Sequence, residues 1–220
     1  SGANTFAGAT MISAGTLTVS GGMALNSGGA VVLADNAGAA FKLMSSQTIG
    51  SLAGGAIDGL VLLESNTLTF GDANNTLVAA SISGASGSLR KQGSGTVGLS
   101  GLNSFNGMLS IDAGTLALFG GGAVEDTVAV TLSGTAGVVL SLMANERVGS
   151  ISGGSAQGGD VQLGNYTLSV GDATSTVFAG SISGTGGITK LGAGMLTLSG
   201  LNTFTGALTV QAGVLQLGNA

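Results

Sequence analysis

The chain has 220 residues, 43 of them Gly, with 44% hydrophobic and 7% charged residues and no Pro, Cys, His or Trp. Gly far above its usual ~7% would suit a disordered chain, but so much apolar content with so little charge points to a packed one. The net charge of -5 leaves no basic patch for phosphates and argues against nucleic acid as a partner, and the absence of Cys and His removes disulfides, thiolate metal sites and the commonest general base. No apolar run approaches the ~20 residues of a membrane helix, so no membrane insertion by this segment is expected, and any targeting or anchoring segment is expected to lie outside it.

Short strands are legible along the chain. Thr16-Leu17-Thr18-Val19, Thr67-Leu68-Thr69-Phe70, Thr115-Leu116-Ala117-Leu118, Leu196-Thr197-Leu198 and Val214-Leu215-Gln216-Leu217 alternate apolar with small residues, as half-buried strands do. Gly-rich corners such as Ser20-Gly21-Gly22, Gly54-Gly55, Gly120-Gly121-Gly122 and Gly186-Gly187 punctuate them, and no apolar stripe holds helical spacing. Asn106-Gly107 and Asp58-Gly59 are the main hairpin candidates, too few for consecutive antiparallel pairing.

Three segments match one another: 1–22, 100–121 and 199–220. Asn4, Asn103 and Asn202 correspond, as do Phe6, Phe105 and Phe204, giving long repeats 1–99 and 100–198 and the start of a third at 199–220 within one segment, 1–220. The interior agrees as well, since 44–55 answers 143–154, and a one-residue insertion between Gly154 and Gly171 is cancelled by a deletion between Ser183 and Gly192; both are expected in turns. These features predict an all-β chain, a right-handed parallel β-helix (solenoid) with Gly-rich corners. With three walls per coil, each repeat should make roughly four rungs and the chain about nine, a rod on the order of 40 Å.

Residues that could carry chemistry read mostly as structure. Gly93 to Gly98 fits G-x-G-x-x-G but lacks the following helix, so it reads as a corner. Ser88 to Lys91 fits S-x-x-K, a spacing that brings Ser beside Lys on a helix and not on a strand; Lys91 and Lys190 recur and should hold a carbonyl or solvate a corner. Glu125-Asp126 is the sole adjacent acidic pair, and on a strand its side chains would point to opposite faces. Asp72 and Asp172, in recurring Gly-Asp-Ala, read as Asx-type turn formers with a weak Ca²⁺ site as the alternative. The three Asn should cap a turn or satisfy backbone groups inside a coil, the three Phe should fill the core or lie beside it, and the sequons at Asn74 and Asn165 carry no expectation. No catalytic, cofactor-binding or metal residue is assigned.

The pattern S-G-x-N-[TS]-F-x-G, closing on A-G-[TV]-L, resembles the autotransporter-associated β-helical repeat of type V secretion passengers. Ser1-Gly2, Asn4-Thr5-Phe6, Gly8 and Ala14-Gly15-Thr16-Leu17 carry it, then Asn103, Phe105, Gly107 and Ala113 to Leu116, then Asn202, Phe204, Gly206 and Ala212 to Leu215. The resemblance implies a β-helix exported to the bacterial cell surface, without fixing one activity. A structural or adhesive stalk without catalysis and without cofactors is expected, its partners host or bacterial surface molecules or copies of itself end to end. A filament module and a polysaccharide-active enzyme are the alternatives. The first and last rungs, 1–22 and 199–220, carry no charge, which predicts concentration-dependent association through them.

Overall fold

The computed structural model describes residues 4–36, 38–56 and 58–218. All its regular elements are strands of two to four residues, and no helix occurs among the described residues. Alternation sets each strand: in Thr67–Phe70 the chain buries Leu68 and Phe70 and leaves Thr67 and Thr69 half-exposed. Glycine ends it. Gly71 follows at φ 111°, where a Cβ would stand 2.1 Å from the Gln92 carbonyl oxygen of the next rung, so only Gly can turn the chain there.

Every pairing between strands is parallel, each strand joining the one a rung further along. Thr10 faces Val31 and Val31 faces Leu52, while Leu68, Leu89, Leu109, Val130 and Ile151 succeed one another on a different side. Three walls result. The first is a nine-stranded sheet from Thr10–Ile12 to Ile182–Ser183, and the third is another from Gln47–Thr48 to Val214–Leu217. The second consists of a five-stranded sheet, Thr16–Val19 to Ser104–Phe105, and a four-stranded one, Glu146–Val148 to Leu208–Val210. It is interrupted where Gly120 and Gly121, at φ 84° and 71°, turn the chain out of the strand direction. The candidate hairpins are corners instead.

Partners on adjacent rungs lie between 19 residues apart (Thr96 and Thr115) and 25 apart (Gly153 and Phe178). A rung of about 21 residues is shorter than the 25 expected, because corners take only a few residues, and the chain makes about ten rungs rather than nine. At a strand spacing of about 4.8 Å the rod is roughly 45 Å long.

The sequence repeat and the coil are therefore out of phase. The first motif copy puts Thr10–Ile12 in the first wall and Thr16–Val19 in the second; the next puts Met108–Ile111 in the third and Thr115–Leu118 in the first; the last puts Leu208–Val210 in the second and Val214–Leu217 in the third. Ninety-nine residues advance the chain by fourteen strand positions, which at three per rung is four and two-thirds rungs. Each copy presents its surface one wall further round. All three walls must then accept the same sequence, which requires a cross-section with nearly equivalent sides.

Inside, the first wall contributes rows such as Val97, Leu116 and Leu140, all buried. Burying a Leu or Val is worth roughly 1.5–3 kcal/mol, repeated on every rung. Leu and Val of the T-L-x-V runs point inward as expected, though Leu17 is only half-buried and Val214 and Leu217 on the last described rung are exposed. The insertion after Gly154 lies in a turn closed by the Ser155 N–H to the Gly158 carbonyl, 2.8 Å.

Asn103 shows how the coil satisfies its backbone. Its Oδ1 accepts the Ile82 N–H at 2.8 Å from the rung before, and its Nδ2 donates to the Ala123 carbonyl at 2.7 Å in the rung after. Asn4 donates likewise to Ala24 (2.7 Å), and Asn202 accepts from Ile182 (3.1 Å). Asn103→Ala strands a buried N–H and C=O together, so a loss of about 2 kcal/mol is expected in denaturant unfolding. An unchanged midpoint would show that water replaces the amide.

Phe105 fills the core and Phe204 packs partly against it, as expected. Phe6 does not. It is 48% exposed, because on the first described rung no described strand covers its side.

Candidate interaction surface

Two recurring corners bury a lysine. Lys91 closes the strand Ser88–Lys91 on the inward side, flanked by Phe70 and Ile111 of the neighbouring rungs, and is fully buried. Its Nζ donates to the carbonyls of Gln92 (2.9 Å), Gly93 (2.8 Å) and Ala113 (2.9 Å), the last on the next rung. Lys190 repeats this with Leu191, Gly192 (2.9 Å) and Ala212 (3.4 Å). Burial lowers the Lys91 pKa to about 8 against the opposing charge of Asp72, and Lys190 is lowered for the same reason beside Asp172.

The Gly-Asp-Ala and K-x-G phrases, separate in sequence, thus stack on adjacent rungs. Asp72 Oδ1 accepts the Asn74 N–H at 2.7 Å and Asp172 accepts from Thr174, the Asx geometry expected. Gly93 turns at φ 72° into a strand, not a helix. Ser88 accepts the Met108 N–H at 3.0 Å, and Lys91, three residues on along the strand, points to the other face.

The acidic pair lies elsewhere than expected. Glu125 and Asp126 sit exposed in a turn, not along a strand, because rung six lacks a strand in the second wall. Asp126 pairs with Arg147 at 3.2 Å. Nearby is a carboxyl that the sequence reading missed: Glu146, 3% exposed, accepts weakly from the Ala123 and Val124 N–H groups at 3.4 and 3.3 Å. Burial pushes its pKa up to about 7, with Asp126 adding to the rise. The one available signal was its alignment with Gln47, a neutral amide that is also buried and donates to Leu25 at 3.3 Å.

Among the described residues no three His, Cys, Asp or Glu side chains gather closely enough to hold a metal ion. An open groove of about 630 Å³ runs past Gln157, Asp160, Ser181 and Leu201. Its single carboxylate is already engaged, since Asp160 accepts the Ser181 N–H (3.0 Å) and hydroxyl (2.8 Å).

The outward rows give the rod its surface. On the first wall Met11, Val32, Ala53 and Leu77 follow one another, and Phe119 and Leu77 lie over Gly98. Beyond them the row turns polar, with a buried Ser141 and then Gln162 and Ser183. The third wall carries Thr48, Thr69, Arg90, Ser110, Thr131 and Ser152 in register, with the Thr131 and Ser152 hydroxyls 3.1 Å apart and Arg90 paired to Asp112. One wall is thus apolar over half its length, and another is lined with hydroxyls.

The passenger-associated-transport-repeat family matches residues 1–19, 89–118 and 188–217. Its unit takes in the lysine corner at 91 and 190 together with the Asn-Phe motif, two features that read as separate phrases in the sequence. An adhesin autotransporter of Brucella suis biovar 1 (strain 1330), BmaC, is 38% identical over 154 residues, which is 66% of this chain and 4% of that protein. No solved structure matches. The three repeat matches, the identity to part of an adhesin autotransporter and the stacked parallel coil together make this chain similar to a stretch of autotransporter passenger.

Proposed function

We propose that this stretch is an adhesive stalk that works by reach and by contact of its walls with host or bacterial surface molecules, without catalysis. The observation that carries the reading is the outward surface, in which in-register apolar and hydroxyl rows run along a coil interrupted by no inserted lobe among the described residues. The name of the Brucella relative, an adhesin, supports it. An apolar row on one wall and a hydroxyl row on another suit broad, shallow contact, with little electrostatic steering from so few charges.

The purified chain, immobilised, should retain host cells or bacteria, and Met11→Lys with Leu77→Lys should reduce retention at least tenfold while the coil stays folded. Retention unaffected by charges on the first and third walls alike would refute contact through these rows. Fibres that lengthen with concentration would favour the filament reading instead. Against polysaccharides, peptides and simple esters no turnover is expected; turnover abolished by Glu125→Gln, Asp126→Asn or Ser88→Ala would overturn the non-catalytic part.

A further inference from the structure

The chain has six methionines and none is in the core. Met11, Met23, Met44, Met108, Met143 and Met195 are 69, 67, 58, 51, 42 and 39% exposed, whereas the buried apolar side chains are all Leu, Val, Ile, Phe and Ala. That distribution runs against the residue's usual use, since its flexible thioether commonly fills gaps inside proteins. It is also the chain's main redox inventory, because Cys, Trp and His are absent and there is a single Tyr.

Each backbone is fastened independently of its sulfur. Met44 and Met143 occupy corresponding corners and donate their N–H groups to Val19 and Leu118, both at 2.8 Å. Met108 and Met195 donate to the hydroxyls of Ser88 and Ser175, both at 3.0 Å. Met11 stands in the outward row of the first wall, held by the strand ladder, and Met23 donates to Gly21 at 2.8 Å. A thioether made polar at these positions meets water at least in part, and none of the six belongs to the buried core.

We propose that the six methionines are sacrificial oxidation sites, through which the rod takes up peroxide-class oxidants at the cell surface while keeping its fold. In each event a thioether lone pair attacks the distal peroxide oxygen, the O–O bond breaks, and a sulfoxide and one water form from one methionine and one hydrogen peroxide. Sulfur is oxidised by two electrons and the peroxide is reduced by two. Apolar contacts such as Met11 become polar in the process.

The test is a hydrogen peroxide titration of the folded chain, followed by intact mass, peptide mass and far-UV circular dichroism. Six oxygen atoms per chain are expected, one at each named methionine, with an unaltered strand signal and a thermal midpoint within a few degrees. Fewer than six additions, or loss of the strand signal once all six are oxidised, would overturn the proposal. A variant with all six replaced by Leu should consume no peroxide under the same dose, and consumption at the parent rate would overturn it equally. Leu89→Met, which places a thioether in the core, should react at least tenfold more slowly than the six until denaturant is added; equal reactivity would show that exposure does not select the sites.

Discussion

Leu116→Asp is expected to break the coil. Leu116 is fully buried and lies between Val97 of the rung before and Leu140 of the rung after, so its side chain belongs to three rungs at once. An aspartate there either carries its charge into an apolar core or takes up a proton to avoid doing so, and it also leaves part of the leucine's volume empty. Together these cost on the order of 5 kcal/mol, at the severe end of single substitutions. A rod stabilised by nearest-neighbour contacts has no distant core to absorb such a loss. Limited proteolysis should therefore cut near rungs five and six, and circular dichroism should lose strand signal at temperatures the parent withstands. Thr69→Asp is the control, because it changes an outward position beside Arg90 and should move the midpoint little. Equal damage from both would mean that the inward and outward assignment is wrong.

That assignment could be read from the sequence because the alternation in T-L-T-F or T-L-A-L is local, and parallel coiling followed from the shortage of hairpin turns. The rung length could not. It depends on how few residues a corner needs, which is decided by contacts one rung away, such as the Gln92 carbonyl against Gly71. The missed length concealed the phase between repeat and coil, and with it the fact that equivalent residues in successive copies lie on different walls. The lysine corner was half legible. Lys91 and Lys190 recur, but their three carbonyls come from two rungs, and only stacking brings Asp72 beneath Lys91. Glu125 and Asp126 drew notice by adjacency and proved to be surface residues in a turn, whereas Glu146, alone in its stretch of sequence, is the buried one. Burial of a single carboxyl leaves no mark in composition or spacing; the aligned Gln47 was its only trace.

Replacing that carboxyl by its amide should remove a pH dependence from the fold. Glu146 has a folded pKa raised to about 7 by burial, against 4.5 in the ordinary range. Between those values the folded chain holds a proton that the unfolded chain has released, so stability falls as pH rises through this window and the loss is complete above about 7. At 1.36 kcal/mol per pH unit the cost approaches about 3 kcal/mol at pH 8. The two N–H groups of Ala123 and Val124 offset only part of it, being 3.4 and 3.3 Å away, and Asp126 opposes them. Glu146→Gln is neutral at every pH, and Gln47 already occupies the corresponding strand position with its Nε2 on a carbonyl. The variant should match the parent near pH 4 and exceed it by about 2–3 kcal/mol near pH 8, with a flat profile between. Lys91 does not blur the comparison, since its lowered pKa of about 8 makes it a source of rising stability only above that value, in parent and variant alike. Denaturant midpoints at pH 4, 6 and 8 decide the matter: profiles that stay parallel would mean that the carboxyl is hydrated in the folded coil and that burial does not govern it.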